Sequence, residues 1–485
     1  MINAPQNSTV TNTIKNQNLT SSELSDLLHT KEILNLYATL TSISTLGIIL
    51  GSIIVGSLSN KIGRKKLIDV NSVIGIVSVT LYISSLSIFY SLKLLILSRI
   101  LQGVFCGVSL TLIPIYLSEI STLYDRGWVL ASYNIFWTFG TMISWVLSMD
   151  WVQEYLFSAQ KHNSETFWMF IPGFIIVVNL VNLIIGSYFF PETPSYLYHS
   201  LSACPIDLCE CYKVVEFLHG SNDVEIDLKI SSDSDSSRRS SSQSSPELLI
   251  SQHNDNQKNA KEPKTLYQQL LADRTAIKII IHVSILATSY TASGPVVFLN
   301  YSVMILKKFD LTKHQMQIAS LTILSICLLG SIFGTFIYSK FKMRLVFIGS
   351  TLSLAFIGFA SSYLLTGHTE EVPEKVQYLL LTLNAASQLI FYAGIAPMWN
   401  IVACGILPLK FSGVGMNCVT ALINSVSFIL LRSFPIMYVT MGSHIYDLFA
   451  TVNLFYAAFY YFRGIETDGV PQDVSYQKFS KRGWL

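Results

Sequence analysis

Long apolar runs limit what this chain can become more than any single motif does. Eleven of them lie near residues 33–57, 67–90, 93–118, 127–149, 168–190, 276–305, 315–338, 345–366, 376–407, 413–437 and 441–462. Each is long enough to cross a bilayer as a helix, which takes ~20 residues. Charged residues make up only 13% of the 485, against about 25% in soluble domains. An all-α membrane protein with about eleven transmembrane helices is therefore expected. The net charge of +2 is too small to suggest a nucleic-acid partner.

An odd number of spans puts the two chain ends on opposite sides. Lys and Arg gather at 61–66, at Arg126, in 213–274, at 340–344, at Lys410 and in the tail. All of these fall on one side of the alternation, which makes that side cytoplasmic. Residues 1–30 then face outside as a polar segment, and their two sequons, at Asn7 and Asn18, lie where glycosylation occurs. No signal-peptide pattern precedes them. Residues 195–274 form a cytosolic linker between an N-terminal bundle, 31–194, and a C-terminal one, 275–465; residues 466–485 are a cytosolic tail. The serine-rich stretch from Ser231 to Ser242 is too polar to form a core. Ser240, after Arg238-Arg239, is a candidate basophilic kinase site, although an unregulated disordered linker is the preferred reading for any single serine. Short helices around 205–220 and 262–273 are expected along the membrane face.

The seven cysteines imply no disulfide framework. Cys204, Cys209 and Cys211 share a polar loop and have no second Cys or His pair beside them, so thiols are expected rather than a metal site. No Walker loop, His-Glu-x-x-His or Gly-x-Ser-x-Gly occurs, which argues against an enzyme, and no cofactor is expected.

The few charges at the ends of the apolar runs concentrate between Gly56 and Gly127. A basic turn, Gly56-Ser57-Leu58-Ser59-Asn60-Lys61-Ile62-Gly63-Arg64-Lys65-Lys66, joins two runs, and Arg99 opens a third. Pro114-Ile115-Tyr116-Leu117-Ser118-Glu119 and Asp125-Arg126-Gly127 close the stretch. Charges beside lipid are costly and usually serve a partner. Spacing alone leaves two readings open: a latch pairing Glu119 with Arg64 and Arg126, or interfacial charges that only set orientation.

These residues resemble a known family. Gly56–Lys66 is similar to the signature loop between helices 2 and 3 of the major facilitator superfamily. Arg99-x-x-x-Gly103-x-x-x-Gly107, Pro114-x-Tyr116-x-x-Glu119 and Arg126-Gly127 resemble helix 4 of its sugar-porter branch, and Pro191-Glu192-Thr193-Pro194 resembles the end of helix 6. Four motifs in order carry far more weight than one. Met1-Ile2-Asn3-Ala4-Pro5-Gln6 is similar to a segment at the end of helix 1 in the facilitative glucose transporters. That likeness implies two six-helix bundles with the first helix missing, through a start placed too far downstream, a truncated chain or a short isoform, the first being preferred.

The resemblance implies alternating access around a midplane sugar site, with Arg64, Arg99, Glu119 and Arg126 as a gating network. Sugar hydroxyls call for amides and an aromatic face. Asn134 stands where the family has a glutamine. In helix 7 the family's glutamines and asparagine are gone, leaving Tyr290, Thr291, Ser293-Gly294 and Tyr301 as candidates. In helix 10 the family tryptophan is displaced by one residue to Trp399, followed by Asn400; Trp399 either stacks on a sugar or packs against its neighbours. Asn424 lies within one residue of a family Asn-Trp pair in helix 11. Gly405, Ser412 and Tyr338–Arg344 replace the charged latch of the C-terminal half. The proton-coupling Asp of relatives would precede Met1, His282 is the only intramembrane histidine that is a candidate proton carrier, and uniport is expected. The expected function is hexose transport at the plasma membrane; alternatives are another small solute (polyol, urate, dehydroascorbate) and a non-transporting nutrient receptor. The expected partners are a small-molecule sugar and the lipid bilayer.

Overall fold

A computed structural model describes residues 21–122, 125–149, 152, 164–194, 196–197, 214, 266–302, 312–366, 373–407, 409–464 and 472–482. Asn7, Asn18, Ser240, the Cys204/Cys209/Cys211 loop and most of the linker lie outside them. Among the described residues every regular element is a helix, as expected where a backbone surrounded by hydrocarbon must satisfy its own polar groups.

The N-terminal half comprises α1 (Ser21–Ile62), α2 (Arg64–Ser87), α3 (Leu92–Ile120), α4 (Arg126–Leu147) and α5 (Ser164–Phe189). A short α6 (Leu266–Ala272) leads into the C-terminal half. There follow α7 (Arg274–Ala292), α8 (Pro295–Asn300), α9 (Lys313–Lys340), α10 (Met343–Thr366) and α11 (Glu374–Ile390). A π turn (Phe391–Ile395) then joins α12 (Met398–Ile406), α13 (Leu409–Met441), α14 (His444–Arg463) and α15 (Gln472–Arg482). Each of the eleven apolar runs coincides with a helix or a broken helix. Eight described helices are long and apolar enough to span a membrane by length and composition. Their outward faces carry bare aromatic side chains such as Tyr188, 83% exposed, and Phe356, 75% exposed, a pattern suited to lipid rather than water.

Local chemistry sets the boundaries. Thr312 and Gln315 form a reciprocal capping box at the start of α9, with Gln315 Oε1 accepting from the Thr312 N–H at 2.9 Å. Asp273 caps α7 by accepting from Thr275 N and Ala276 N. Its second oxygen accepts from the Tyr476 hydroxyl at 2.6 Å, which pins α15 across the base of α7. Burial and the Asp273 carboxylate push the Tyr476 hydroxyl up from its usual range, so it remains a donor.

Small residues let the helices approach. Gly47 and Gly51 of α1 lie against Gly103 and Gly107 of α3, and a Cβ on any of the four would meet backbone of the opposing helix. This is a two-sided small-xxx-small seam. The halves meet along α1 with α13 and along α4 with α9. A direct hydrogen bond, Thr138 Oγ1 to Ser331 Oγ at 3.2 Å, crosses the second seam.

Two breaks interrupt the C-terminal half. Between α7 and α8, Gly294 has φ +104° and no room for a Cβ beside Phe449, so only glycine fits. The freed carbonyls are satisfied from outside: Asn453 Nδ2 donates to Ser293 O at 3.0 Å, and Gln388 Nε2 donates to Pro295 O at 2.9 Å. In the second break, Ala396 N–H reaches back to Phe391 O across the π turn, just before Pro397, which has no N–H to give.

Candidate functional site

At the base of the N-terminal half, Arg64 Nη2 and Glu119 Oε1 are 3.1 Å apart, with side chains 4% and 1% exposed. The expected latch pair is therefore present and buried. It is internal to one half, joining the start of α2 to the end of α3. The contact that crosses to the other half is made by α12: the Cys404 thiol lies 3.8 Å from Pro114 O and within electrostatic reach of Arg126 and Glu119. The ion pair thus shapes the surface on which α12 rests rather than bridging the halves itself.

Glu192 completes this base. Its Oε1 accepts from the Arg64 N–H at 2.8 Å, the Lys65 N–H at 3.1 Å and the Thr193 N–H at 3.2 Å. A carboxylate there satisfies the open donors of α2 and complements its dipole. Gly63 makes the approach possible: its φ is +103°, and a Cβ would come 2.5 Å from Glu192 Oε2. Gly63→Ala should therefore lower stability by about 1–3 kcal/mol, read as an earlier thermal unfolding transition in detergent. Tyr116 donates to Pro191 O at 2.9 Å and holds the same segment. Sequence reading quoted Glu192 within a motif but assigned it no role, because nothing local links residue 192 to residue 64.

Arg99 does not belong to this network. It lies twenty residues before Glu119 on α3, about 30 Å away along the axis. Its guanidinium sits over Tyr82 at 4.9 Å and donates to Gln102 at 3.1 Å.

Several polar groups in both halves are buried. Asn134 is 5% exposed, and its Nδ2 has no hydrogen-bond partner among the described residues. Asn400 is 1% exposed, and neither amide atom is paired among the described residues. Asn417 and the Thr420 hydroxyl of α13 share that condition and were missed by sequence reading; an amide inside an apolar run was the available signal. Buried polar atoms are nearly always satisfied by protein, water or ligand. Tyr290 sets an aromatic wall, its ring 5.5 Å from Phe391 and 6.5 Å from the buried Trp399.

Other predicted site residues are engaged elsewhere. Thr291 Oγ1 is 2.6 Å from Ser427 Oγ, and Asn424 Nδ2 donates to Thr420 O of its own helix at 2.8 Å. Tyr301 donates to Leu431 O at 2.6 Å and stacks on Phe434 within an apolar cluster. His282 lies between Phe459 and Phe479, under α15. Among the described residues no group of His, Cys, Asp and Glu is arranged to hold a metal ion.

Two helical bundles, with broken helices in the second, give this membrane-spanning chain the major facilitator fold. The solved structure of the proton:xylose symporter XylE bound to 6-bromo-6-deoxy-D-glucose superposes with a TM-score of 0.74 at 15% identity, covering 95% of this chain and 91% of that one. Likeness at that identity establishes the fold. Solute carrier family 2, facilitated glucose transporter member 7 of Mus musculus is 30% identical over 167 residues, 34% of this chain and 30% of that protein. The probable metabolite transport protein CsbC of Bacillus subtilis is 28% identical over 187 residues, 39% of this chain and 36% of its own length. The matches thus span about a third of each relative. The family model described as "Sugar (and other) transporter" matches residues 1–475. The chain belongs to that family.

Proposed function

We propose that the protein carries a neutral hexose-sized sugar across the plasma membrane by alternating access, as facilitated diffusion. The observation that carries this reading is a pair of buried amides, Asn134 in α4 and Asn400 in α12, one from each half, with Asn134 Nδ2 and both Asn400 amide atoms lacking a partner among the described residues. A sugar hydroxyl both donates and accepts, so it can satisfy an amide that is otherwise stranded. Tyr290 and Trp399 supply aromatic surface for the sugar ring. In the proposed cycle the halves rock about these amides. The surface built from Arg64, Glu119, Arg126 and Glu192 receives α12 when the base is closed and releases it when the base opens. The names of the glucose-transporting relative and of the sugar-bound XylE structure support the same substrate class. With the 60–66 loop in the cytosol, Asn7 and Asn18 are proposed as external glycan sites and Ser240 as a cytosolic phosphorylation site.

Uptake of labelled hexoses by the purified chain in proteoliposomes tests the proposal. Saturable uptake that survives collapse of the proton gradient is expected; no uptake of any hexose by folded protein would sink it. Asn134→Leu should raise KM about tenfold, the weight of one lost polar contact in a buried site. A second reading, transport of a different small solute, is favoured by one feature. Val296 and Thr291 occupy the helix 7 stretch where relatives carry amides, and Thr291 is already committed to Ser427. Competition of hexose uptake by polyols and urate separates the two.

A further inference from the structure

The C-terminal half has no charged base pair of its own at Gly405 and Ser412, yet its broken helix must still be held. One face of α9 carries Gly330, Gly334 and Tyr338, each four residues after the last. A Cβ on Gly330 would come 2.7 Å from Leu389 O, and one on Gly334 would come 2.7 Å from Ala393 O. The two glycines therefore bring α9 against α11 and the π turn at van der Waals distance. Tyr338, 4% exposed, is the third position in that row. Its hydroxyl donates to Gly394 O and lies 3.8 Å from Met398 Sδ. Gly394 is wedged from the other side, where a Cβ would collide with Ser350 Oγ of α10.

From this we infer that Tyr338 is the positioning residue that clamps the break in α11–α12, a neutral substitute for a charged latch in this half. The π turn and Pro397 leave this segment short of regular helical hydrogen bonds, so it is where α12 can swing. A hydroxyl delivered to the Gly394 carbonyl holds α12 in the orientation that sets Cys404 against Pro114 of the other half. Arg344 serves a different purpose: its guanidinium reaches Tyr461 O and lies over the Tyr461 ring, tying α10 to α14 without touching the break.

The inference rests on the alternating-access reading, and the experiment separates the two. The full chain in proteoliposomes is treated with a maleimide, and the rate of Cys404 modification is read by peptide mass spectrometry, with and without glucose. Tyr338→Phe keeps the ring and removes only the hydroxyl. It should label Cys404 about three- to tenfold faster than the parent, the effect of one neutral hydrogen bond, while the protein stays folded and monodisperse. Arg344→Gln should leave the labelling rate unchanged, although it too loosens the half. Equal rates for Tyr338→Phe and the parent, while glucose still alters the parental rate, would overturn the clamp and leave alternating access standing. A parental rate that ignores every transported sugar would remove alternating access, and the clamp with it.

Discussion

Gly103→Leu should lower the yield of folded protein at least about tenfold, the equivalent of 1.4 kcal/mol or more in the folding equilibrium. At this position α3 has no space at all. A Cβ would meet the Ser44 carbonyl and the Gly47 backbone, and the reciprocal contacts run from Gly47 to Ile100 and Gly103. Overpacking usually costs about 1–3 kcal/mol because side chains adjust. Backbone on both sides of the seam cannot adjust without separating α1 from α3. Because α1 also lines the contact with α13, the damage extends to the joint between the halves. Gly349→Leu is the control, since a Cβ there meets nothing within 4 Å. The comparison is made by size-exclusion chromatography of detergent-solubilised protein. Equal monodisperse yields for the two variants would refute the seam.

Glu119→Gln should destabilise the fold by about 3–5 kcal/mol, the cost of stranding one member of a buried ion pair. The burial on both sides decides this, because an exposed pair would contribute about 0–1 kcal/mol. Here Arg64 is 4% and Glu119 1% exposed. The guanidinium keeps a neutral acceptor, Ser59 O at 3.4 Å, which is too long to replace a carboxylate. Removing both charges together, as Arg64→Met with Glu119→Leu, should recover most of the loss, since an apolar pair needs no desolvation. Thermal unfolding in detergent reads both. A double variant no better than Glu119→Gln alone would mean that the carboxylate acts on Arg126 or Cys404 and that its pairing with Arg64 is incidental.

Much of this architecture was legible before any coordinates. The run lengths located every long helix, and the charged motifs around Arg64 and Glu119 marked a pair that the fold does bury. Distance along a helix axis is what motif spacing does not reveal. Arg99 shares a motif with Gly103 and Gly107, yet a helix carries it to the opposite end from Glu119. Glu192 is the reverse case: it is far from Arg64 in sequence and bonded to its N–H in space. Among the polar residues in apolar runs, Asn134, Asn400, Thr291 and Tyr301 stood out in the sequence, whereas Asn417 and Thr420 did not. Whether such a side chain faces a solute or a neighbouring carbonyl was not readable. Tyr301 and Thr291 have protein partners, while Asn134 Nδ2 and the Asn400 amide have none among the described residues.

The sequence by itself determined that this is a multi-pass helical protein with a basic base and a sugar-porter signature, because run length and charge sequence are properties of one strand of chain. Only the tertiary structure decided that Gly47 and Gly51 answer Gly103 and Gly107, that the ion pair stays within one half, and that Tyr338 reaches Gly394. Each of those depends on which helix lies beside which. Apolar side chains in lipid specify that weakly, and small residues and single hydrogen bonds between helices settle it.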